Sequence, residues 1–532
     1  MGDFQNVVQV DPLPQLKNLT VGATVGEGTF AIVKVGQLKK DPKRIVAVKY
    51  IHRATSHSKG VNDEKIGIEV RIHKECSGHP NIINLHMFGT DNIWVYLVME
   101  LAESGDLFDK IEPNVGVDEE IANFYFRQLI NAVDYIHQKG VAHRDIKPEN
   151  ILLDKEGNLK LGDFGLATVY QRRKSKRLSH EQCGSPPYMA PEILSSDGYD
   201  PVRSDIWACG MVLFVLLTGQ IAWQEPKYGI DEDFTKYVDY DGKLLEAPWN
   251  YFSASVRPLL QSILKSTPSK RFTMLQIRLH PWVNQSNTFM NINNQCKDSG
   301  VLAERLISSL HVGLYDDYLQ ELSRTNISSN DVKYVSLSQP TTANAFMTNS
   351  FDEFVPATQD PSTFFQRTAL PDHSEDAYER ILKIVSKDPS ILQFTLPQHK
   401  MSQMTKSQNH VIQFNKLQLN ATQNLTRFFS VLPIESLTSI IKDSLNRIGI
   451  RTLISDNHEI QQELALKAIY ININALADRS KLPLKGVIKI MQCDPLLSLW
   501  KIDFIKTKGD PLEWRLFFKK VTLLSRDAVF IE

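Results

Sequence analysis

Eight consecutive residues, His143-Arg144-Asp145-Ile146-Lys147-Pro148-Glu149-Asn150, put an acid, an amide and two cations into one polar stretch. That set suits a phosphoryl-transfer loop. Asp145 can accept a hydrogen bond from an attacking hydroxyl, Lys147 can neutralise charge on the moving phosphoryl group, and Asn150 can offer a neutral oxygen to a magnesium ion. The stretch lies between a helix-like run, Glu119 to Gly140, and the strand-like Ile151-Leu152-Leu153, two apolar elements that would hold it in place. Alone it would be an ordinary polar loop, so its partners elsewhere in the chain decide the reading.

Four such partners occur in a consistent order. Val25-Gly26-Glu27-Gly28-Thr29-Phe30-Ala31-Ile32-Val33 reads as strand, turn, strand, with small residues that let backbone N–H groups approach phosphates. Ala31 stands where a third glycine is usual. A dinucleotide-binding turn would need a helix next, whereas Ile32-Val33-Lys34-Val35 reads as strand. Ile45-Val46-Ala47-Val48-Lys49 follows, a strand ending in a cation for the α- and β-phosphates; taken singly, Lys49 would be a lysine snorkelling at a strand edge. Its carboxylate partner is Glu69 in the helical stretch Asp63 to Lys74, with Glu64 the runner-up and Glu75 behind it. Trp94 to Met99 reads as a strand leading into Glu100-Leu101-Ala102, where the backbones of Glu100 and Ala102 would meet an adenine ring. Asp163, in Asp163-Phe164-Gly165, comes 13 residues after Asn150 behind another strand and is the second magnesium ligand.

Other elements frame these residues. Gly105-Asp106-Leu107-Phe108 reads as a helix start. From Asp163 to Glu192 no period holds, and this loop carries the basic run Arg172 to Arg177, readable as a docking or import segment or as a solvated charge run. Asp205 is most simply a helix N-cap, with holding the catalytic loop's backbone as its other use. Glu192 and Arg271 suit a structural ion pair.

At 532 residues the chain is too long for one core, and two or three domains follow. A net charge of −1 gives no bulk field toward nucleic acid or membrane. The five cysteines are scattered without a CxxC pair, which argues against a disulfide framework or a zinc site. No apolar leader is read at the N-terminus, and the longest apolar run, Ala208 to Leu217, is too short to span a bilayer.

Residues 18 to 282 resemble the eukaryotic protein kinases, on the glycine-rich loop, Val46-Ala47-Val48-Lys49, the octet, Asp163-Phe164-Gly165 and Ala190-Pro191-Glu192. The resemblance implies an α+β, bilobal fold with ATP between a sheet lobe and a helical lobe, and Lys147-Pro148-Glu149-Asn150 implies the serine/threonine class. It narrows to the checkpoint kinase 1 family, nearest the budding-yeast form, on Phe108-Asp109-Lys110-Ile111-Glu112-Pro113, Val141 to Asp145, Cys183-Gly184-Ser185, Leu425 to Phe429 and Gly509-Asp510-Pro511-Leu512-Glu513-Trp514. This implies a nuclear effector of the DNA-damage and replication checkpoint, with the cytoplasm as a second location. It implies substrates with arginine three residues before serine or threonine, and an activation loop competent without phosphorylation. Glu149, Glu103 and Asp106 are the candidate carboxylates for that arginine.

The remaining divisions are an extension at 1–17, a linker at 283–419 and a small kinase-associated α+β domain at 420–532. Val301 to Leu322 keeps helical spacing and could pack on the kinase. The linker is rich in Ser, Thr, Asn and Gln and holds Ser338, Thr358, Ser402 and Ser407, each followed by Gln. Damage-sensor kinases of the phosphatidylinositol-3-kinase-like group recognise such pairs, and Ser338 is the first choice. In related kinases the terminal domain binds its own catalytic domain or anionic lipid, and Lys506, Lys508, Arg515, Lys519 and Lys520 suit either use or plain solvation. The expectation is an ATP- and magnesium-dependent kinase restrained by its own C-terminal domain until the linker is phosphorylated. Neither direct nucleic-acid binding nor a membrane span is expected. A nucleotide-binding scaffold and a metabolic kinase with a lipid-binding tail are the alternatives.

Overall fold

Residue alternation in one strand sets out the first lobe. In β3 (Asp41–His52) Val46, Val48 and Tyr50 are buried on one face of the sheet, where Leu19, Trp94 and Val98 join them. The odd positions, Ala47, Lys49 and Ile51, therefore point to the other face. There Ile51 and Leu97 meet Ile66 and Val70 of a helix. The sheet is antiparallel in the order β1 (Leu19–Glu27), β2 (Ala31–Leu38), β3, β5 (Trp94–Glu100), β4 (Leu85–Thr90). After the short α1 (Arg53–Ser58), helix α2 (Asp63–Cys76) covers it, started by the Asn62 side chain accepting from Lys65 N at 3.0 Å. The computed structural model describes residues 11–28, 30–172, 175–312, 375–386, 388–394, 425–450, 468–477, 483–494 and 496–530.

The second lobe is helical. Its core is shared by α3 (Glu119–Gln138) and α4 (Pro201–Thr218), with α5 (Glu232–Asp239), α6 (Arg257–Ile263), α7 (Met274–Arg278) and α8 (Pro281–Asn284) around them. Helix α4 is capped by Asp200 and closed by Gly219 in the left-handed region, φ 61°. By length and composition α4 could cross a membrane, yet 83% of it is buried in this lobe. The lobe does not end at Trp282. Leu302 and Leu306 of α9 (Ser299–Ser308) belong to its core, and Asn158 Oδ1 accepts from Cys296 N at 2.6 Å. The segment at Gly105 differs from its helical expectation. Only one turn forms, Phe108–Lys110, because the preceding backbone pairs with β7 (Ile151–Leu153): Ser104 N donates to Leu153 O at 3.0 Å and Leu107 N to Ile151 O at 3.2 Å.

In the C-terminal domain a four-stranded antiparallel sheet has the order β12 (Arg427–Ser430), β15 (Leu499–Lys508), β14 (Pro483–Asp494), β13 (Ile469–Leu476). Two helices, α11 (Ile434–Arg447) and α12 (Pro511–Leu524), pack with it. A Cβ on Gly486 would fall 2.2 Å from the Trp514 ring, so glycine is what lets α12 lie close on β14. Part of the segment read as linker belongs here: Gln393 is buried and donates to Leu425 O at 2.9 Å, and Asp388 pairs with Arg427 at 2.9 Å. The short α10 (Glu375–Val385) precedes it. All five cysteines are free thiols.

Candidate active site

Lys49 lies on the α2 face of the sheet, opposite Val33 in the neighbouring strand. Its Nζ is 2.8 Å from Glu69 Oε1 and 2.9 Å from Asp163 Oδ1. Glu69 is three positions from the buried Ile66 on α2 and shares its inward side, whereas Glu64 and Glu75 are exposed. Burial works to lower the Lys49 pKa, but the charges of Asp163 and Glu69 outweigh it and raise it. Lys49 in turn holds the Asp163 carboxyl far below its ordinary range. Asp163 has a positive φ of 59°, and the next residue, Phe164, is clamped between His73 of α2, stacked at 4.8 Å, and His143 at 5.1 Å. Burial drives the His73 imidazole down to about 4, so it packs there as a neutral ring.

The octet is fixed from beneath. Asp205 is not the N-cap of α4, a role Asp200 fills. It is buried one turn in, and its two oxygens accept from the backbone N–H groups of His143 and Arg144, each at 2.8 Å. These bonds stabilise the positive φ of Arg144, 66°. Asp145 then meets three partners: Lys147 Nζ at 2.9 Å from Oδ2, Asn150 Nδ2 at 3.2 Å from Oδ2, and the Ser185 hydroxyl, which donates to Oδ1 at 3.0 Å. Lys147 also donates to Ser185 Oγ at 2.9 Å. The sequence marks Ser185 only as part of Cys183-Gly184-Ser185 at the end of the irregular loop and gives no sign that it meets Asp145. Glu192 and Arg271 pair at 2.6 Å.

In the glycine-rich turn Gly28 N donates to Ala31 O at 2.7 Å. Val25 is exposed, Gly26 is paired with Val33, Ala31 and Ile32 are buried, and Phe30 packs toward the α2 face. Thr29 lies outside the described residues, as do Ser338, Thr358, Ser402, Ser407 and part of the basic run, Arg173 and Lys174. The Glu100 side chain turns to Lys160 at 2.6 Å and Asn84 at 2.8 Å, and its backbone N–H donates to Asn84 O at 2.9 Å, so of its backbone groups the carbonyl is the one a ligand would meet. Ala102 follows where that strand ends. Asn150 spends its amide nitrogen on Asp145, leaving the oxygen as its acceptor, and Asp163 is ionised. Two hard oxygen donors suit magnesium shared with phosphates.

The C-terminal domain lies against this lobe with its cations inward. Lys506 Nζ is 3.0 Å from Asp106 Oδ2. Glu112, buried, takes Lys519, Arg515 at 3.5 Å and the His311 N–H at 3.1 Å. Tyr188 OH donates to Asp510 Oδ2 at 3.4 Å, and Leu512 enters the core of the helical lobe. Burying one leucine of this kind is worth about 1.5–3 kcal/mol. Phe108–Pro113 and Gly509–Trp514, far apart in sequence, are thus two sides of one interface. Of the candidate substrate carboxylates, Asp106 and Glu149 face it; Glu103 is half-buried and is not among the main charges acting on Lys506.

Residues 19–283 match the family described as protein kinase domain. Across 98% of its length the chain is 38% identical to serine/threonine-protein kinase CHK1 of Saccharomyces cerevisiae, 99% of which is covered. The chain belongs to the CHK1 family of serine/threonine protein kinases. The fission-yeast CHK1 of Schizosaccharomyces pombe is 35% identical over 94% of this chain and 95% of its own. CBL-interacting protein kinase 11 of Oryza sativa is 32% identical over 80% and 83%. Kinship with the two CHK1 kinases therefore includes the C-terminal domain as well as the catalytic one. Protein kinases use ATP with magnesium, and this CHK1-family chain is an enzyme that phosphorylates serine or threonine in proteins.

Proposed function

We propose that this kinase is an effector of the DNA-damage and replication checkpoint, acting in the nucleus on serine or threonine preceded by a basic residue. Lys49, held by Glu69, positions the ATP phosphates under the turn at Gly26 to Ala31. Asp145 orients the substrate hydroxyl, Lys147 steadies the transferring group, and Asn150 and Asp163 hold magnesium. When bound, that metal neutralises phosphate charge. Transfer is direct and in line, without a phosphoenzyme. Ser185 keeps Asp145 aimed. The checkpoint context rests on the kinship at both ends of the chain.

The C-terminal domain restrains the kinase by lying across its peptide-binding side, and phosphorylation at Ser338, Thr358, Ser402 or Ser407 by damage-sensor kinases releases it. The observation that carries the restraint is Lys506 paired with Asp106 beside a complete catalytic constellation. The experiment compares the full chain, residues 1–312, and Asp145→Ala in each, with a peptide bearing arginine three residues before serine. The cut is placed at 312 because α9 belongs to the helical lobe. Strong transfer by 1–312, weak transfer by the full chain and none by either variant is expected. Equal activity in both lengths would remove the restraint and leave the kinase.

A further inference from the structure

Helix α7 turns only part of itself inward. Met274 and Ile277 enter the core of the helical lobe, whereas Leu275 and, at the end of the helix, Leu279 are 67% and 69% exposed. Four positions apart, the two leucines share one face, and Arg278 lies on it as well. Opposite that face α3 presents Arg127 and, three positions on, Ile130. Between the two helices runs a groove of about 350 Å³, also lined by Val283 and Asn294, which is within the range of ligand and peptide side-chain sites.

The two cations of the groove are not equivalent. Arg278 Nη1 pairs with Asp134 Oδ2 at 2.5 Å. Arg127 donates from Nη1 to Gln285 O at 3.2 Å and from Nη2 to Asn294 Oδ1 at 2.9 Å, both of them neutral acceptors. Burial lowers the pKa of that half-buried guanidinium, and among the described residues no carboxylate acts against the effect. A guanidinium that serves only neutral oxygens keeps its charge for an acid. The exposed leucines add an apolar surface that folding leaves in water. Together they complement a ligand that is aliphatic on one side and anionic on the other.

We propose that the groove between α3 and α7 is a docking site for a partner protein, and that the segment it takes carries an aliphatic side chain next to an aspartate or glutamate. The aliphatic group packs on Leu275 and Leu279 over Ile130, and the carboxylate pairs with Arg127. Charge decides the occupant: a basic segment would meet two guanidiniums and one carboxylate already in use. None of these residues belongs to the catalytic site described above, so occupation tethers the partner and leaves transfer to a short peptide as it was. Docking here needs neither the checkpoint context nor the restraint by the C-terminal domain to hold.

The test pans a displayed library of random peptides against the full chain and measures the enriched peptides by fluorescence anisotropy with wild type, Arg127→Gln, Leu275→Glu and, outside the groove, Arg71→Gln. Enriched peptides are expected to pair leucine, isoleucine or valine with aspartate or glutamate. Arg127→Gln and Leu275→Glu should each weaken binding about tenfold, the scale of one charge-assisted bond or one aliphatic contact, and Arg71→Gln should leave it unchanged. Leu275 is exposed, so its variant tests the groove even where loss of the Arg127 bonds disturbs the fold. At saturation the same peptides should leave kcat and the KM for a short substrate peptide unaltered. A library that yields no such binder, peptides without an acid, or peptides bound equally by every variant would overturn the site. So would weakening by Arg127→Gln alone, which leaves an anion contact without a groove, or competition with ATP or substrate peptide, which would put the peptides in the active cleft. A self-associated full chain that Leu275→Glu makes monomeric in sedimentation would give the groove to a second copy and overturn the separate partner.

Discussion

Arg144 Nη2 and Glu181 Oε2 lie 3.0 Å apart, and the other oxygen of that carboxylate is 3.5 Å from Lys65 Nζ on α2. One acid in the loop between Asp163 and Glu192 thus ties the catalytic loop to the helix that carries Glu69. Protein kinases commonly order this loop by pairing a phosphate with arginine. Here the Glu181 carboxylate stands beside the arginine, and the Arg144 guanidinium also donates to Leu166 O at 2.7 Å and Ser179 Oγ at 2.9 Å. Glu181→Gln in the 1–312 form should lower kcat about tenfold, or ~1.4 kcal/mol of barrier, with a smaller change in the KM for ATP. Unchanged kcat would mean that Leu166 and Ser179 seat the loop without it.

Asp205 offers a sharper test of positioning. It is buried, accepts two backbone N–H groups of the catalytic loop and is 2.8 Å from His137 Nε2. Asp205→Ala would leave those donors unpaired in the core, at about 1–3 kcal/mol for each orphaned group. A fall in Tm with a larger fall in kcat is expected. Asp205→Asn, which keeps one acceptor, should retain more of both. A lowered Tm with normal kcat in the surviving folded protein would make Asp205 a support for α4 alone.

Lys49 and Glu69 could be read from sequence because each sits on an element with a short, strict period, whereas Asp145, Lys147, Asn150 and Asp163 lie in loops and were legible only from the spacing of their motifs. Alternation in β3 places Lys49 on the α2 face, and helical spacing from Ile66 selects Glu69, although sequence alone left Glu64 open. Residues that act through loops were less legible. Ser185 reaches Asp145 from 40 positions away, and no period connects them. Asp205 looked like a cap because acids favour helix starts, while Asp200 five residues earlier took that place. Lys506, Arg515 and Lys519 were visible as cations, but whether they faced lipid, water or kinase depended on Asp106 and Glu112, some 400 residues away. The inward face of α12 is set by Leu512, which lies in the core of the helical lobe.

Glu112 is the centre of the charged part of the interface, and its removal should release the kinase. It is buried with Lys519 and Arg515 on one side and the His311 N–H on the other. Glu112→Gln leaves two buried cations facing a neutral group, and breaking a buried pair in this way costs about 3–5 kcal/mol. The full chain should then approach the activity of 1–312, while 1–312 carrying the same substitution should change little. Limited proteolysis should cut between the catalytic and C-terminal domains more readily. A full chain that stays restrained would place the strength of docking in Leu512 and its apolar neighbours.

The same interface should loosen as pH rises. Burial first, then the charge of Asp510, pushes Glu149 up to about 7, against the lowering effect of Lys147 and Lys506. Asp510 is pushed up to about 6 by burial and by Glu513, against its N-cap hydrogen bonds and Lys506, and the two acids titrate as a pair. With the domain lifted, both carboxyls return to water and to the ordinary range of about 4. The docked state therefore holds protons that the open state lacks. Docking is strongest below that ordinary range and weakens as pH climbs through the docked values, above which the cost is constant. The activity of the full chain divided by that of 1–312, a ratio that cancels the pH dependence of the chemistry, should rise from about pH 5.5 to about pH 7.5. Asp510→Asn keeps a side chain able to cap α12 and removes the repulsion with Glu149, so it should lower that ratio at the alkaline end and flatten its slope. A wild-type ratio that is level, or falls with pH, would mean that both carboxylates stay ionised beneath the C-terminal domain.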